Sequence, residues 1–579
     1  MSSKTKSAQD LFPNGIDPAA LQKGLGCGAN LLARNVPKRP NPGFQPRTGP
    51  KLLNMVAMQM AAKCNAGAAQ EFLNLFQEAI TTFSKAVLAT PNPAETLAEV
   101  ASTLSRESPP AVFSVSPPTL SAHLDRYPIE VANAALCEQL DVLSELEHKQ
   151  GTWPAELMLA ADPTDIVYRG RFYNQYTSYG QTGNQPTWKR GFKEFGIYAC
   201  PTQLQVGFAP LLVGSNSGGG VPAWVCHMAD AVKWATSTGS TVSIIAVDRE
   251  FYSATSFAAA HIGLFAPELA PEDQPRLLCP TKFWRAKDNR KWEFLVGKKS
   301  ADVAEATLEL SATDAKRLGP AAASLLGEDG KYRVPVAMVA GFDSYPGRRA
   351  PKSIEWAKIE AKRIDQQLRA AQAELARAKQ AYEAYATDKA GNPRVAPRKV
   401  AKKRQFFGDQ EDAARYWAYL EAKKAVPKWE EKKARLCKRL AFFTASLREG
   451  ERVKGHEAEF SDLIRQYREH WNIENGYKSQ KWQFRLRTNS RKTTARHVRA
   501  VLGAMFYNAW HYRRVSRAVR LMKESEPGWK PFDGSVPPVR KKWERKIRPA
   551  LSAQGFLMEE LKLSLQVSIK LFVAQIKLV

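Results

Sequence analysis

Apolar residues recur at helical spacing from 55 to 90 and again from about 119 to 150, with Pro91-Asn-Pro93 and Ser116-Pro-Pro118 between the two blocks. The pattern predicts two helical stretches, the second opening on prolines whose fixed φ suits a first helical turn. At Leu157 the texture changes to that of strands. Residues 157–161, 195–204 and 205–213 read as three consecutive strands, 222–238 as a helix, and 240–247, rich in β-branched residues, as a fourth strand. The order is β-β-β-α-β, with Asp162 after the first strand and Asp248 after the fourth.

A helix is predicted near 255–265, followed by an irregular region with short strand candidates at 291–296 and 332–339. Ala357, Ala361, Ile364, Leu368, Ala371, Leu375, Ala378, Tyr382 and Tyr385 then keep four-three spacing, the seam of a long helix. Gly391-Asn-Pro393 ends it, the basic run 394–404 follows, and 439–446 return to a strand pattern. Near the end, Leu561, Leu563, Leu565, Val567, Ile569 and Leu571 alternate with polar residues, as in a half-buried strand. The organisation implied is a mobile basic arm (1–51), a helical N-terminal domain (52–150), a mixed α/β core in two parts (151–265 and 438–520) around a large insertion (266–437), and a basic extension (521–579).

Charge adds a partner to this picture. The net charge of +28 over 579 residues attracts polyanions. It is localised: residues 1–150 carry 13 basic against 13 acidic side chains, whereas 391–550 carry 40 against 17. From Asn475 to Arg520 there are twelve basic residues and no acidic one, which points to nucleic acid. Seven cysteines without a Cys-x-x-Cys pair indicate neither a disulfide framework nor a zinc ribbon. The N-terminus lacks a signal peptide's apolar core, and the most membrane-like run, 501–510, is about half a bilayer span; a cytoplasmic protein with no membrane partner is expected. Gly218-Gly-Gly220 lacks the Lys-Ser/Thr of a phosphate-binding loop, and His227, His261 and His497 form no metal-ligand pattern.

The chemistry is carried by Tyr467, His470, Glu474 and Lys481, which recur at intervals of three, four and seven and so share one helical stripe. Asp162, Asp248 and Glu474 offer three carboxylates of the hard type that suits Mg²⁺ or Mn²⁺. Asp165 is an alternative to Asp162, which is preferred for its strand-end position. The stripe resembles the Tyr-x2-Arg-x3-Glu-x6-Lys signature of the bacterial and archaeal insertion-sequence group (insertion-sequence four-like) of DDE transposases with an RNase H-like core. Here it reads Tyr467-x2-His470-x3-Glu474-x6-Lys481, with histidine in the arginine position. Asp248-Arg-Glu-Phe-Tyr252 resembles the segment bearing that family's second catalytic Asp, and Phe442-Phe-Thr-Ala445 the strand before its Glu helix.

The resemblance implies an RNase H-like mixed sheet flanked by helices and a nucleoid-associated DNA transposase. It implies that Asp162, Asp248 and Glu474 hold two Mg²⁺ or Mn²⁺ ions for cleavage of transposon-end phosphodiesters and transfer of the freed 3′ hydroxyl. It also implies transposon terminal inverted repeats and target DNA as partners, and a homodimer in the synaptic complex. Tyr467 and Lys481 would contact end phosphates and Trp471 would stack on a displaced base. His470, Lys478, Arg485, Arg487 and Arg491 complete the expected DNA-binding set. The departure at His470 keeps open an alternative, a catalytically inactive transposase-derived DNA-binding protein.

Overall fold

A computed structural model describes residues 45–63, 116–167, 177–181, 188–211, 222–281, 287–297, 302–342, 354–386, 410–467 and 492–525, with shorter pieces between 68 and 89, at 483–484 and 486, and between 528 and 561. In chain order its main elements are α1 (Gln45–Ala62), α2 (Pro117–Leu124), α3 (Ile129–Gln150), β1 (Glu156–Val167), β2 (Thr177–Gln181), β3 (Trp188–Cys200) and β4 (Leu204–Leu211). They continue with α4 (Ala223–Ser237), β5 (Thr241–Val247), α5 (Ala254–His261), β6 (Arg276–Pro280), α6 (Lys287–Val296), β7 (Val303–Ser311), α7 (Ala312–Leu318) and β8 (Lys331–Phe342). The last are α8 (Ile354–Ala386), α9 (Gln410–Arg439), β9 (Leu440–Ser446), α10 (Glu457–Tyr467) and α11 (Thr493–Ser525). The fold is mixed α/β, a mixed sheet flanked by helices, and it divides into two compact units: Met1–Leu277, Glu309–Val334 and Glu469–Val579 form one, Leu278–Leu308 and Pro335–Arg468 the other.

In the first unit the strands run in the order β2-β3-β1-β5, with β4 also on β3. β1 is antiparallel to β3 and parallel to β5; with β2 lying between β1 and β3 in the chain, four strands precede α4 where three were expected. Two strand expectations need correcting. The first strand does not stop at residue 161: parallel pairing with β5 ends at Ala161↔Val247, but pairing with β3 continues from Asp162↔Gly196 to Val167↔Gly191. Pro163, which has no N–H to donate, falls just beyond the point where β1 loses its β5 neighbour. β2 went unpredicted because Thr-Ser-Tyr-Gly-Gln has no apolar alternation.

Helices on this core are secured by polar contacts across long sequence separations. Ser116 caps α2 through the Thr119 N–H (3.2 Å), and Gly151, at φ 72°, ends α3 with its N–H on Glu147 and His148 carbonyls. The stretches read as an N-terminal domain belong to the same compact unit: Gln139 Nε2 of α3 donates to the Met505 carbonyl of α11 (2.9 Å), and His497 Nε2 meets Asn133 Oδ1 at 2.8 Å. α11 is buried over 501–513. Its Asn508 accepts from the Gln205 N–H (2.8 Å) and donates to the Gln205 carbonyl (2.9 Å), so both backbone groups of that β4 residue find partners.

In the second unit β6 is antiparallel to β9, which is antiparallel to β8. Residues 291–296 are helical in α6, contrary to the strand expectation. Trp292 and Leu295 are one turn apart and join Ala357, Ala361 and Ile364 of α8 with Leu436, Cys437 and Leu440 in one core. Lys291 Nζ donates to the carbonyls of Cys437 (3.2 Å) and Leu440 (2.6 Å), tying α6 to the end of α9. The predicted seam of α8 is realised, with Ala357, Ala361, Ile364, Leu368 and Ala378 buried. Its partner α9 was not foreseen. The α8–α9 hairpin is locked by a Tyr382–Tyr419 stack at 5.5 Å.

Candidate active site on parallel strands

Asp162 lies in β1 one residue after Ala161, and Asp248 follows β5 one residue after Val247. Since Ala161 pairs with Val247, the two acids take adjacent places on neighbouring parallel strands, whose backbones are separated by about 4.8 Å. Alternation of side chains puts both on the sheet face opposite the one that Ala161 and Val247 occupy. Across from Asp162 on β3 stands Gly196, which adds no side chain beside the carboxylate. Both acids are half-buried.

The turn that holds Asp248 is built by its own sequence. Asp248 Oδ1 accepts the Arg249 N–H (2.6 Å), capping the single turn Arg249–Phe251. Phe251 is fully buried and meets Phe195 of β3 at 5.3 Å and Trp224 of α4 at 4.9 Å between ring centroids. The aromatic cluster thus fixes the backbone from the face opposite the acids. Ser253 then caps α5 through the Ser256 N–H (3.1 Å).

Of the other sequence-predicted residues, Tyr467 ends α10, half-buried, with its ring 4.9 Å from Phe443 of β9. Glu474, His470, Trp471, Lys478, Lys481, Arg485, Arg487 and Arg491 lie outside the described residues, as does the side chain of Asp165. Leu561 is helical, and the rest of the alternating tail, 562–579, is likewise outside them. Among the described residues no three His, Cys, Asp or Glu side chains form a group that could hold a metal ion, and no helix is long and apolar enough to cross a membrane.

Glu194 was passed over in the sequence. It pairs with Thr164, two positions from Asp162 on the same face, and is 5% exposed. Its position within Trp-Lys-Arg-Gly-Phe-Lys-Glu-Phe carries no signal of burial; the register with β1 reveals it.

The basic stretch behaves differently from its appearance in sequence. Within α11, Arg499 and Arg513 are buried. Arg499 Nη1 donates to the Ala495 carbonyl (3.1 Å), and burial pulls its basicity down. Arg514 lies over Trp510 (4.6 Å) and is likewise lowered by burial. Only Lys492 among the described basic residues of 475–520 is exposed. Two histidines are also enclosed here: burial pushes His497 and His511 down to about 3, so both are neutral at pH 7.

No protein-family model matches the chain, and no curated protein matches it. Among solved structures, the chain is similar at 10% identity and a TM-score of 0.38 to a piggyBac transposase, in a cryo-EM structure of its synaptic complex with hairpin DNA; the match covers 97% of this chain and 82% of that one. A likeness this remote leaves the functional argument to the residues themselves.

Proposed function

We propose that this chain is a metal-dependent DNA transposase of an insertion sequence, acting by DDE chemistry with Asp162, Asp248 and Glu474. The observation that carries the proposal is the adjacency of Asp162 and Asp248 on the neighbouring parallel strands β1 and β5 of a mixed sheet, in a chain of net charge +28. Their hard oxygen donors and neighbouring positions fit Mg²⁺ or Mn²⁺, with Glu474 as the third ligand. When bound, two such ions supply activation of the attacking oxygen and stabilisation of the leaving one.

The chain's own residues bind and orient the substrate. Tyr467, Lys481, Lys478, Arg485, Arg487 and Arg491 hold end phosphates, and Trp471 receives a displaced base on its indole face. Hydrolysis at the element's terminus frees a 3′ hydroxyl, which then attacks the opposite strand or target DNA without a covalent enzyme intermediate. Terminal inverted repeats are the substrate and a homodimer brings two ends together.

His470 favours a second reading, a transposase-derived protein that binds DNA without cutting it. A histidine cannot make the permanently charged bidentate contact of the arginine it replaces. The test is cleavage of duplexes carrying the inverted repeats that flank the reading frame, with Mg²⁺ and with Glu474→Gln as control. Cutting by the intact chain, lost in the variant while binding persists, supports the first reading. Binding without cutting by the intact chain refutes it in favour of the second.

A further inference from the structure

The hairpin of α8 and α9 carries its charge unevenly. α8 has six basic and five acidic side chains, and four of the six basic ones pair along the helix: Arg363 with Glu360, Arg369 with Asp365, Arg377 with Glu374 and Lys379 with Glu383. From 422 to 439, α9 has eight basic against two acidic residues. Lys423, Lys424, Lys428, Arg435 and Lys438 are exposed. Of these five, only Arg435 has an acidic partner among the described residues, Glu431. The stretch 422–439 thus carries a net charge of +6 (8 − 2) where the whole of α8 carries +1 (6 − 5).

Lys424, Lys428, Arg435 and Lys438 follow steps of four, seven and three, so they keep to one stripe of the helix. At 1.5 Å per residue the stripe is about 21 Å long, a length of duplex that carries roughly a dozen phosphates. Lys432 and Lys433 lie over Trp429 (3.9 Å) and Trp292 (4.9 Å), which hold them against the hairpin. The stripe includes no large exposed apolar side chain, which a protein partner would need as an anchor. A phosphate backbone needs only spaced cations.

We propose that the exposed stripe Lys424, Lys428, Arg435 and Lys438 of α9 is a second, sequence-independent contact surface for duplex DNA. The choice of partner rests on the DNA-processing reading above, but the surface requires none of Asp162, Asp248 and Glu474. The test measures binding of the full-length protein to a duplex of random sequence by fluorescence anisotropy across a salt series. Lys424→Glu/Lys428→Glu/Lys438→Glu is compared with the equally charge-reversed control Lys362→Glu/Arg369→Glu/Arg377→Glu on α8.

The α9 variant is expected to lower the slope of log affinity against log salt by about 3, roughly 0.9 per lost phosphate contact, with the control unchanged. Circular dichroism and melting confirm that both variants keep their helices. An unchanged slope in the α9 variant, or an equal fall in the control, overturns the proposal. Cleavage of end-bearing DNA by the unmodified protein separates the two ideas. A slope effect without cleavage leaves the α9 surface standing and removes the transposase reading; cleavage without a slope effect does the reverse.

Discussion

Glu147 supplies the sharpest physical test of the fold. Its side chain, on α3, is 1% exposed, and neither carboxylate oxygen has a hydrogen-bond partner among the described residues. Burial therefore pushes the carboxyl up to about 8 from an ordinary 4.5. Below 4.5 the folded and unfolded chains both carry the proton and the group adds no pH dependence. Between 4.5 and 8 the unfolded chain releases it while the folded chain retains it, so stability falls by about 1.4 kcal/mol per pH unit; above 8 the slope vanishes. At pH 7 the accumulated loss is roughly 3 kcal/mol. Glu147→Gln keeps the shape and removes the titration. Relative to the parent it should show no pH-dependent gain near pH 4.5 and a gain of roughly 3 kcal/mol by pH 7. Hydrogen exchange of α3 amides in mild denaturant at pH 5, 6, 7 and 8, corrected for intrinsic exchange rates, reads the difference. Parallel stability profiles for the two proteins would show that water or a partner reaches the carboxylate and that the burial argument is wrong.

His497 and His511 give the opposite limb: each is held neutral with a folded value of about 3, so stability is present above 6.5 and drains as pH falls towards 3. His511→Phe should flatten that acid limb by about 1.4 kcal/mol per pH unit, measured by urea unfolding. Asn508→Ala strips both backbone groups of buried Gln205 of their partners and should cost about 2 to 4 kcal/mol in the same assay. Asp248→Asn still accepts the Arg249 N–H and keeps the cap, so cleavage should disappear with a melting temperature unchanged to within a degree or two. Loss of folding in that variant would mean that the carboxylate charge is structural.

What was legible in the sequence follows from which forces act locally. The α8 pattern recurs on one buried face, and β1 and β5 show as short apolar runs buried on both faces; a single chain displays such patterning. β2 and α9 lack it. α9 is recruited by tertiary contacts, Tyr382 on Tyr419 and Leu436 in the α6–α8 core, and Pro427 within it reads as a helix breaker until those contacts are known. Residues 291–296 are ambiguous for the same reason, since a short apolar run fits either period and only the pocket that accepts Trp292 and Leu295 decides.

The candidate site divides along the same line. Two acids after apolar runs can be found by reading, but their adjacency depends on the register Ala161↔Val247, a non-local quantity. Shifting that register by one residue would turn one carboxylate to the other face of the sheet. The buried aromatic turn at Phe251 holds the chain as it leaves β5 against such a slip, because displacing it would break packing with both Phe195 and Trp224. The residues that position the acids are therefore apolar ones on the opposite face: Phe251 lies within the Asp248–Tyr252 segment, whereas Phe195 and Trp224 fall outside the motifs of the sequence.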